Sequence, residues 1–299
     1  MTLEAPGFDP IVLDLGTGLR FWGQTLPTDG SFRGTALVTH LHWDHVQGLP
    51  FFTPINCPGA TIDVYAPAPE PDVSVGDAFA DFMRPPYFPV RATDLFGDIR
   101  FHDASTCDMD IGGALVKVRA VPHVGATNGY RIEYGGVVVA YISDHQQPVD
   151  DATQIADAVL ELCDGADLVI HDAQFDDADF AVKPNWGHCT ADYAVHVAAT
   201  AGARRLALFH HDPARTDAGI ERLLGHSQVL GRQRGLEEVF AAAEGLTVSL
   251  TGSPLSSSRA PGPTGVNRVV TNGAILNGAV TNGEVPIGQA AKRTAKVAR

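Results

Sequence analysis

The run Thr39-His40-Leu41-His42-Trp43-Asp44-His45 places three imidazoles and a carboxylate within six residues, directly after the apolar stretch Ala36-Leu37-Val38. A hydrophobic core has no use for four such groups, and neither has a solvated loop. In extended chain, residues i, i+2 and i+4 share a side. His40, His42 and Asp44 can therefore face one point, and His45 joins them from the start of the next segment. Neutral imidazole suits Zn²⁺, and carboxylate oxygen suits Zn²⁺, Mn²⁺ or Fe²⁺. Three more residues of ligand type, His123, Asp144 and His210, each close an apolar strand-like run, as His40 does. A single His or Asp at a strand end is usually a loop residue. Several such ends can converge on one sheet edge, which is where α/β folds place ligand sites.

The elements that must deliver these residues can be read from patterning. Residues 11–16 form a short apolar strand running into a glycine turn, residues 36–39 deliver the histidine cluster, and residues 61–66 alternate and stop at Pro67. Residues 67–95 are Pro-rich and loop-like, with a short helix around 77–83. Residues 114–121 alternate and stop before Pro122-His123. The runs 130–134 and 137–142 flank Gly135-Gly136 as a hairpin that delivers Ser143-Asp144-His145. A helical pattern over 151–163 precedes the buried-strand run Leu168-Val169-Ile170, which ends at His171-Asp172. Thr190 caps a helix that reaches Ala201 and is stopped by Gly202. Residues 205–209 form a strand delivering His210-His211, residues 217–232 a helix, and residues 246–250 a closing strand. Strands with helices between them point to an α/β (α+β) fold, a sandwich of sheets with helices outside.

The chain has 299 residues, 44% of them apolar, with both charge signs present. That suits one large domain, residues 1–252, with an appended tail. The formal charge of −14 is uneven: from Ser253 onward six Arg or Lys face one Glu, so residues 1–252 carry about −19. An acidic body discourages non-specific nucleic-acid binding, which depends on Lys and Arg at phosphates. The tail, residues 253–299, repeats Asn-Gly at 272–273, 277–278 and 282–283, ends in basic residues and offers no periodic apolar face, so it is expected to be disordered. Four dispersed cysteines form no C-x-x-C pair, and the N-terminus shows no signal-peptide pattern. No apolar run approaches the ∼20 residues needed to cross a bilayer. The expectation is a cytoplasmic protein with reduced thiols and no membrane partner.

The histidine cluster resembles the H-x-H-x-D-H signature of the metallo-β-lactamase-fold superfamily. Its site is built from that signature, a later His, a bridging Asp, a final His, and an Asp on an early strand. The resemblance implies an αββα metallo-β-lactamase-type sandwich and two divalent metal ions, zinc first, with manganese or iron as alternatives. Carried over residue by residue, it places His40, His42 and His123 on one ion, Asp44, His45 and His210 on the other, and Asp144 bridging both. A metal-bridging hydroxide is then the nucleophile. Asp14 braces the signature loop. His210 is preferred over His211 because it directly ends Leu206-Ala207-Leu208-Phe209; a strand phase shifted by one residue would favour His211.

Further motifs resemble the ribonuclease Z-like phosphodiesterase branch. His123 to Ile132 is similar to its H-x(5)-G-Y-R-I pattern, and residues 168–175 resemble its apolar strand ending in H-E-A-T-F. Trp186-Gly187-His188-Cys189-Thr190 resembles its H-S-T element with Cys189 in the serine's place. The likeness spans residues 11–250. It makes His188 the general acid that protonates a leaving alkoxide, and Asp44 and His188 the catalytic candidates. The bland alternative for His188 is a helix-entry residue packed beside Trp186. His171 is expected to hydrogen-bond a ligand. His145 and His211, each following a ligand, should point away from the metals or touch substrate. His102, His196 and His226 read as structural.

Two departures bear on substrate. Only 21 positions separate His123 from Asp144, which leaves no room for the long arm that a tRNA-processing member would insert there. With the acidic body, this makes tRNA a poor substrate. Only ten residues precede Ile11, where the family carries an extra N-terminal hairpin, so a truncated or altered start is expected, with an exposed edge that favours a homodimer. The reading is a dinuclear metal-dependent hydrolase of a small anionic phosphodiester such as a cyclic nucleotide. Its rivals are a ribonuclease Z-like endoribonuclease, a thioester or lactone hydrolase, and a non-hydrolytic redox or sensor metalloprotein. His42 stands where the di-iron redox branch usually carries an acidic residue.

Overall fold

The computed structural model describes residues 1–251 and the backbone of Gly273–Asn277. The strands are β1 (Thr2–Glu4), β2 (Ile11–Leu13), β3 (Arg33–Leu37), β4 (Thr61–Ala66), β5 (Asp98–Asp103), β6 (Cys107–Ile111) and β7 (Ala114–Ala120), followed by β8 (Asn128–Tyr134), β9 (Val137–Ile142), β10 (Leu168–Asp172), β11 (Arg205–Phe209), β12 (Glu238–Ala241), β13 (Thr247–Thr251) and β14 (Gly273–Asn277). The helices are α1 (Leu19–Gly23), α2 (Trp43–Val46), α3 (Val75–Phe82), α4 (Asp157–Cys163), α5 (Asp177–Val182), α6 (Ala191–Thr200) and α7 (Asp217–Gln233).

Two sheets result, ordered β13-β14-β1-β2-β3-β4-β5 and β12-β11-β10-β9-β8-β7-β6. Within the first, β2 to β5 are parallel; within the second, β9 to β12 are parallel. The inner faces of both sheets share one apolar layer that includes Ile11, Leu13, Leu37, Tyr130, Tyr141 and Ile170. The outer face of the second sheet packs on α4, α6 and α7. The outer face of the first buries Val12, Ala36, Val38 and Val64 against Trp22, Phe52 and Phe79. Alternation along each strand produces this layering, because odd and even side chains point to opposite faces. The arrangement is the expected αββα sandwich. Both parallel sets end at one edge, and the antiparallel steps β7-β8-β9 bring the end of β7 there too.

Several expectations are corrected. The strand at Ile11 is not the expected exposed edge: Thr2 and Leu3 pair with Val12 and Ile11, and β3 pairs on the other side, so β2 is an interior strand. Helix α4 begins at Asp157 and not at 151, because the Asp151 carboxylate accepts from the Thr153 N–H and hydroxyl and from Gln154, closing a turn. Strands β5, β6 and β12 were missed: all three lie at sheet edges and are partly exposed, although Cys107-Asp108-Met109-Asp110-Ile111 of β6 does alternate apolar with polar. Of the expected disordered tail, Gly273–Asn277 pairs antiparallel with both β1 and β13; the remainder lies outside the described residues. Among the described residues no helix is long and apolar enough to cross a membrane.

Candidate metal centre

The signature enters the site where β3 ends. Val38 donates to the Tyr65 carbonyl, the Val38 carbonyl accepts from the Tyr130 hydroxyl at 2.6 Å, and the chain turns into α2 with His42 at its N-cap. Two glycines permit the close packing beneath it. A Cβ on Gly16 would lie 2.5 Å from the Asp44 carbonyl, and one on Gly48 would lie 2.0 Å from the Gly16 carbonyl.

Two groups of ligand atoms converge. In the first, His40 Nε2 lies 2.8 Å from His42 Nδ1, and His123 Nε2 lies 3.5 Å from the same atom. Asp144 Oδ2 is 3.8 Å from His40 Nε2 and 3.7 Å from His123 Nε2. In the second, Asp44 Oδ2 stands 3.2 Å from both His45 Nε2 and His210 Nε2. Asp144 Oδ1 is 3.3 Å from His45 Nε2 and 3.7 Å from His210 Nε2. Asp144 thus presents one oxygen to each group. Tetrahedral ligands on a zinc ion at 2.0–2.1 Å stand about 3.3 Å from one another; the second group lies at 3.2–3.7 Å and the first scatters around that spacing, from 2.8 to 3.8 Å.

The residues fit a divalent cation by their wiring as well. His45 Nδ1 donates to Asp14 Oδ2 at 2.8 Å and His123 Nδ1 donates to the Gly187 carbonyl at 2.7 Å. Both contacts orient the ring and aim Nε2 into the site. His45 Nε2 and Asp144 Oδ1 are buried without a hydrogen-bond partner, an arrangement that is costly unless a cation completes it. Asp14 does more than brace. It accepts from the Thr39 N–H, the Thr39 hydroxyl and the Tyr141 hydroxyl while holding His45. It does so from a left-handed backbone, as does His210 (φ 59° and 55°), strain of a kind that collects at functional sites.

His188 sits beside these groups. Its Nδ1 donates to Asp172 Oδ2 at 2.7 Å and lies 3.8 Å from Asp144 Oδ2, and its ring stacks on His210 at 5.0 Å. Because Asp172 takes Nδ1, the His188 nitrogen 3.8 Å from Asp144 is already engaged, and Nε2 is the ring nitrogen that Asp172 leaves open. Asp172 was missed by sequence reasoning, as was the clamp that aims the loop. Gln146 Oε1 accepts from the Gly187 N–H, and Gln147 Oε1 accepts from the Thr190 N–H and hydroxyl. The signal available for Asp172 was its place at a strand end directly after His171.

A family model described as "Beta-lactamase superfamily domain" matches residues 13–211. The chain belongs to the β-lactamase superfamily. Within it the sequence falls in the ribonuclease Z-like branch: it is 26% identical over 242 residues to a Natronomonas pharaonis ribonuclease Z, covering 68% of this chain and 77% of that one. The fold is shared with a zinc-bound PqqB from Methylobacterium extorquens, at TM-score 0.58 and 18% identity over 82% of this chain and 85% of that one. A diphosphatase of the PhnP family shares it too, at TM-score 0.55 and 21% identity over 78% and 77%.

Electrostatics divide this superfamily site in two. Burial, and next the neighbouring His45, His123 and His42, hold His40 far below the ordinary histidine range. Burial also lowers His123. These are neutral bases ready for a cation. Burial would depress His45 as well, but the charge and hydrogen bond of Asp14, with Asp44 and Asp144, outweigh it and push His45 up to about 11. His210 is raised against its own burial, chiefly by the hydrogen bond to Asp44. The hydrogen bond from His210, and His45 with its Nε2 3.2 Å away, hold Asp44 well below the usual carboxylate range.

Two supporting roles are corrected. His171 hydrogen-bonds no candidate ligand: its Nδ1 donates to the Asp172 carbonyl and its Nε2 accepts from His145 Nδ1 at 3.0 Å. Alternation along β10 sends His171 to the helix-covered side with Val169, and Asp172 to the site side with Ile170. His145 accordingly points away from both groups of candidate ligands. It is His210 that reaches Asp44; His211 lines a cavity beside the second group and supports none of the ligands by a hydrogen bond. His102, His196 and His226 pair with Asp63, the Thr153 carbonyl and Asp192, all away from the site.

Proposed function

We propose that this protein is a metal-dependent phosphodiesterase acting on a small phosphodiester, with zinc as the first choice of cation. The observation that carries this reading is the Asp172–His188 pair beside Asp144. A hydrolase that only needs an activated nucleophile has no use for a buried carboxylate aiming an imidazole across the site. Bond cleavage to an alkoxide does, because that leaving group must be protonated. Divalent ions held by His40, His42, His123 and by Asp44, His45, His210, with Asp144 between, would supply Lewis-acid polarisation and lower the pKa of water.

The chain's own residues do the rest. Asp172, wholly buried, holds His188 through Nδ1 and so keeps Nε2 available to deliver a proton to the departing oxygen. Gly187, with a Cβ position only 2.5 Å from the His123 ring, lets the His188 loop pass over the first group and holds His123 by its carbonyl.

The relatives named ribonuclease Z favour a second reading, an endoribonuclease. Against it, β8 and β9 are joined by Gly135-Gly136 alone, so no arm projects between His123 and Asp144, and residues 1–252 carry about −19. The test assays metal-loaded protein on bis-p-nitrophenyl phosphate, a cyclic nucleotide and a precursor tRNA, with a salt titration of RNA binding. Turnover of a small diester, with weak RNA binding and a shallow salt slope, is expected. Cleavage of the tRNA with a kcat/KM above that of every small diester would overturn the assignment.

A further inference from the structure

The inner faces of packed sheets normally interdigitate and leave few voids larger than a water molecule. Here a cavity of about 490 Å³ lies between the sheets and opens onto Asp44, His45 and His210. Its body is apolar, formed by Leu13 of the first sheet and by Leu168, Ile170, Ala207 and Phe240 of the second. Phe21 and Leu246 line it at the surface, where both are exposed. The volume falls within the roughly 300–1,000 Å³ of small-molecule sites, which combine apolar walls with a few polar groups at one end.

We propose that this cavity receives an alkyl or aryl group of the substrate ester while its phosphodiester lies against the Asp44–His45–His210 group. The proposal rests on the phosphodiesterase reading and narrows its substrate class. Water inside such walls finds few hydrogen-bond partners, so an apolar group gains by displacing it. Walls of Leu, Ile, Ala and Phe offer a nucleobase edge little to bond to, which favours a hydrocarbon over a nucleoside at this position.

The experiment uses the full chain, metal-loaded, with methyl, butyl and octyl p-nitrophenyl phosphate, which share one leaving group. The value of kcat/KM should rise by about fourfold per methylene until the cavity is full. Leu246→Trp, at the exposed rim, and Ala207→Leu, in the wall, should bring the octyl ester down to the rate of the methyl ester while leaving the methyl ester within about twofold. Binding of octylphosphonate against methylphosphonate, followed by calorimetry, reads the cavity without hydrolysis. If no ester turns over but octylphosphonate binds the tighter, the cavity assignment stands and the phosphodiesterase reading falls. Turnover independent of chain length, with both phosphonates bound alike, would overturn the cavity proposal, as when other parts of the chain fill the space. Should either variant fail to fold, the wild-type chain-length series decides.

Discussion

Asp172→Asn tests the proposed role of the Asp172–His188 pair in protonating a leaving alkoxide. The carboxylate is fully buried, and both oxygens are in use: Oδ1 accepts from the Gln174 N–H at 2.9 Å, and Oδ2 from the His145 N–H at 3.0 Å and from His188 Nδ1 at 2.7 Å. Asparagine keeps one accepting oxygen. If that oxygen stays with Gln174, an NH₂ group faces two donors; if it turns, the Gln174 N–H is left unpaired. An unpaired buried donor costs about 1–3 kcal/mol, a fall in melting temperature of about 2–12 °C for a chain of this size. The hydrogen bond to a charged imidazole is worth about 1.5–3 kcal/mol, or about 10- to 150-fold in rate at 1.4 kcal/mol per tenfold. That loss should appear on a methyl phosphodiester, whose leaving group needs a proton. On bis-p-nitrophenyl phosphate, whose leaving group does not, it should stay under about threefold. Metal content, measured by atomic absorption on the same preparation, should be unchanged. Equal losses on both esters, or loss of metal, would refute the reasoning and make Asp172 a structural residue.

The other expectations follow the same geometry. Asp144→Ala should strip metal from both groups, because Asp144 is the one residue facing each; a preparation that still holds its full metal content would contradict the shared carboxylate. His188→Ala should retain metal yet slow esters with poor leaving groups by roughly 10²–10⁴-fold, and a comparable loss on p-nitrophenyl esters would point to positioning alone. Asp14→Asn should weaken metal affinity by about 10- to 100-fold through His45, read by competition with a chelating dye. In the metal-free protein His45, pushed up to about 11, carries its proton at pH 7, so zinc binding at that pH should release about one proton or more. Calorimetry in buffers of different ionisation enthalpy measures it, and heats that do not vary with the buffer would show that His45 is already neutral.

Much of this centre was legible in the sequence because its information is local. His40, His42, Asp44 and His45 lie within one turn of chain after a strand, and His123, Asp144 and His210 each close an apolar run whose direction fixes the edge it reaches. Alternation along the runs likewise announced the layered fold. What the chain could not reveal depends on side chains meeting across elements. Asp172 and His188 are 16 residues apart on different elements, and only the packing of β10 against the loop before α6 joins them. The choice between His171 and Asp172 turned on which face of β10 meets the helices, and that between His210 and His211 on a left-handed backbone at His210 that turns its ring toward Asp44. The pairing of β1 with β2 and the space between the sheets were hidden for the same reason. Sequence patterning records how each segment divides apolar from polar, whereas the direction of a side chain beyond a strand end, and the gaps between two sheets, are set by everything packed around them.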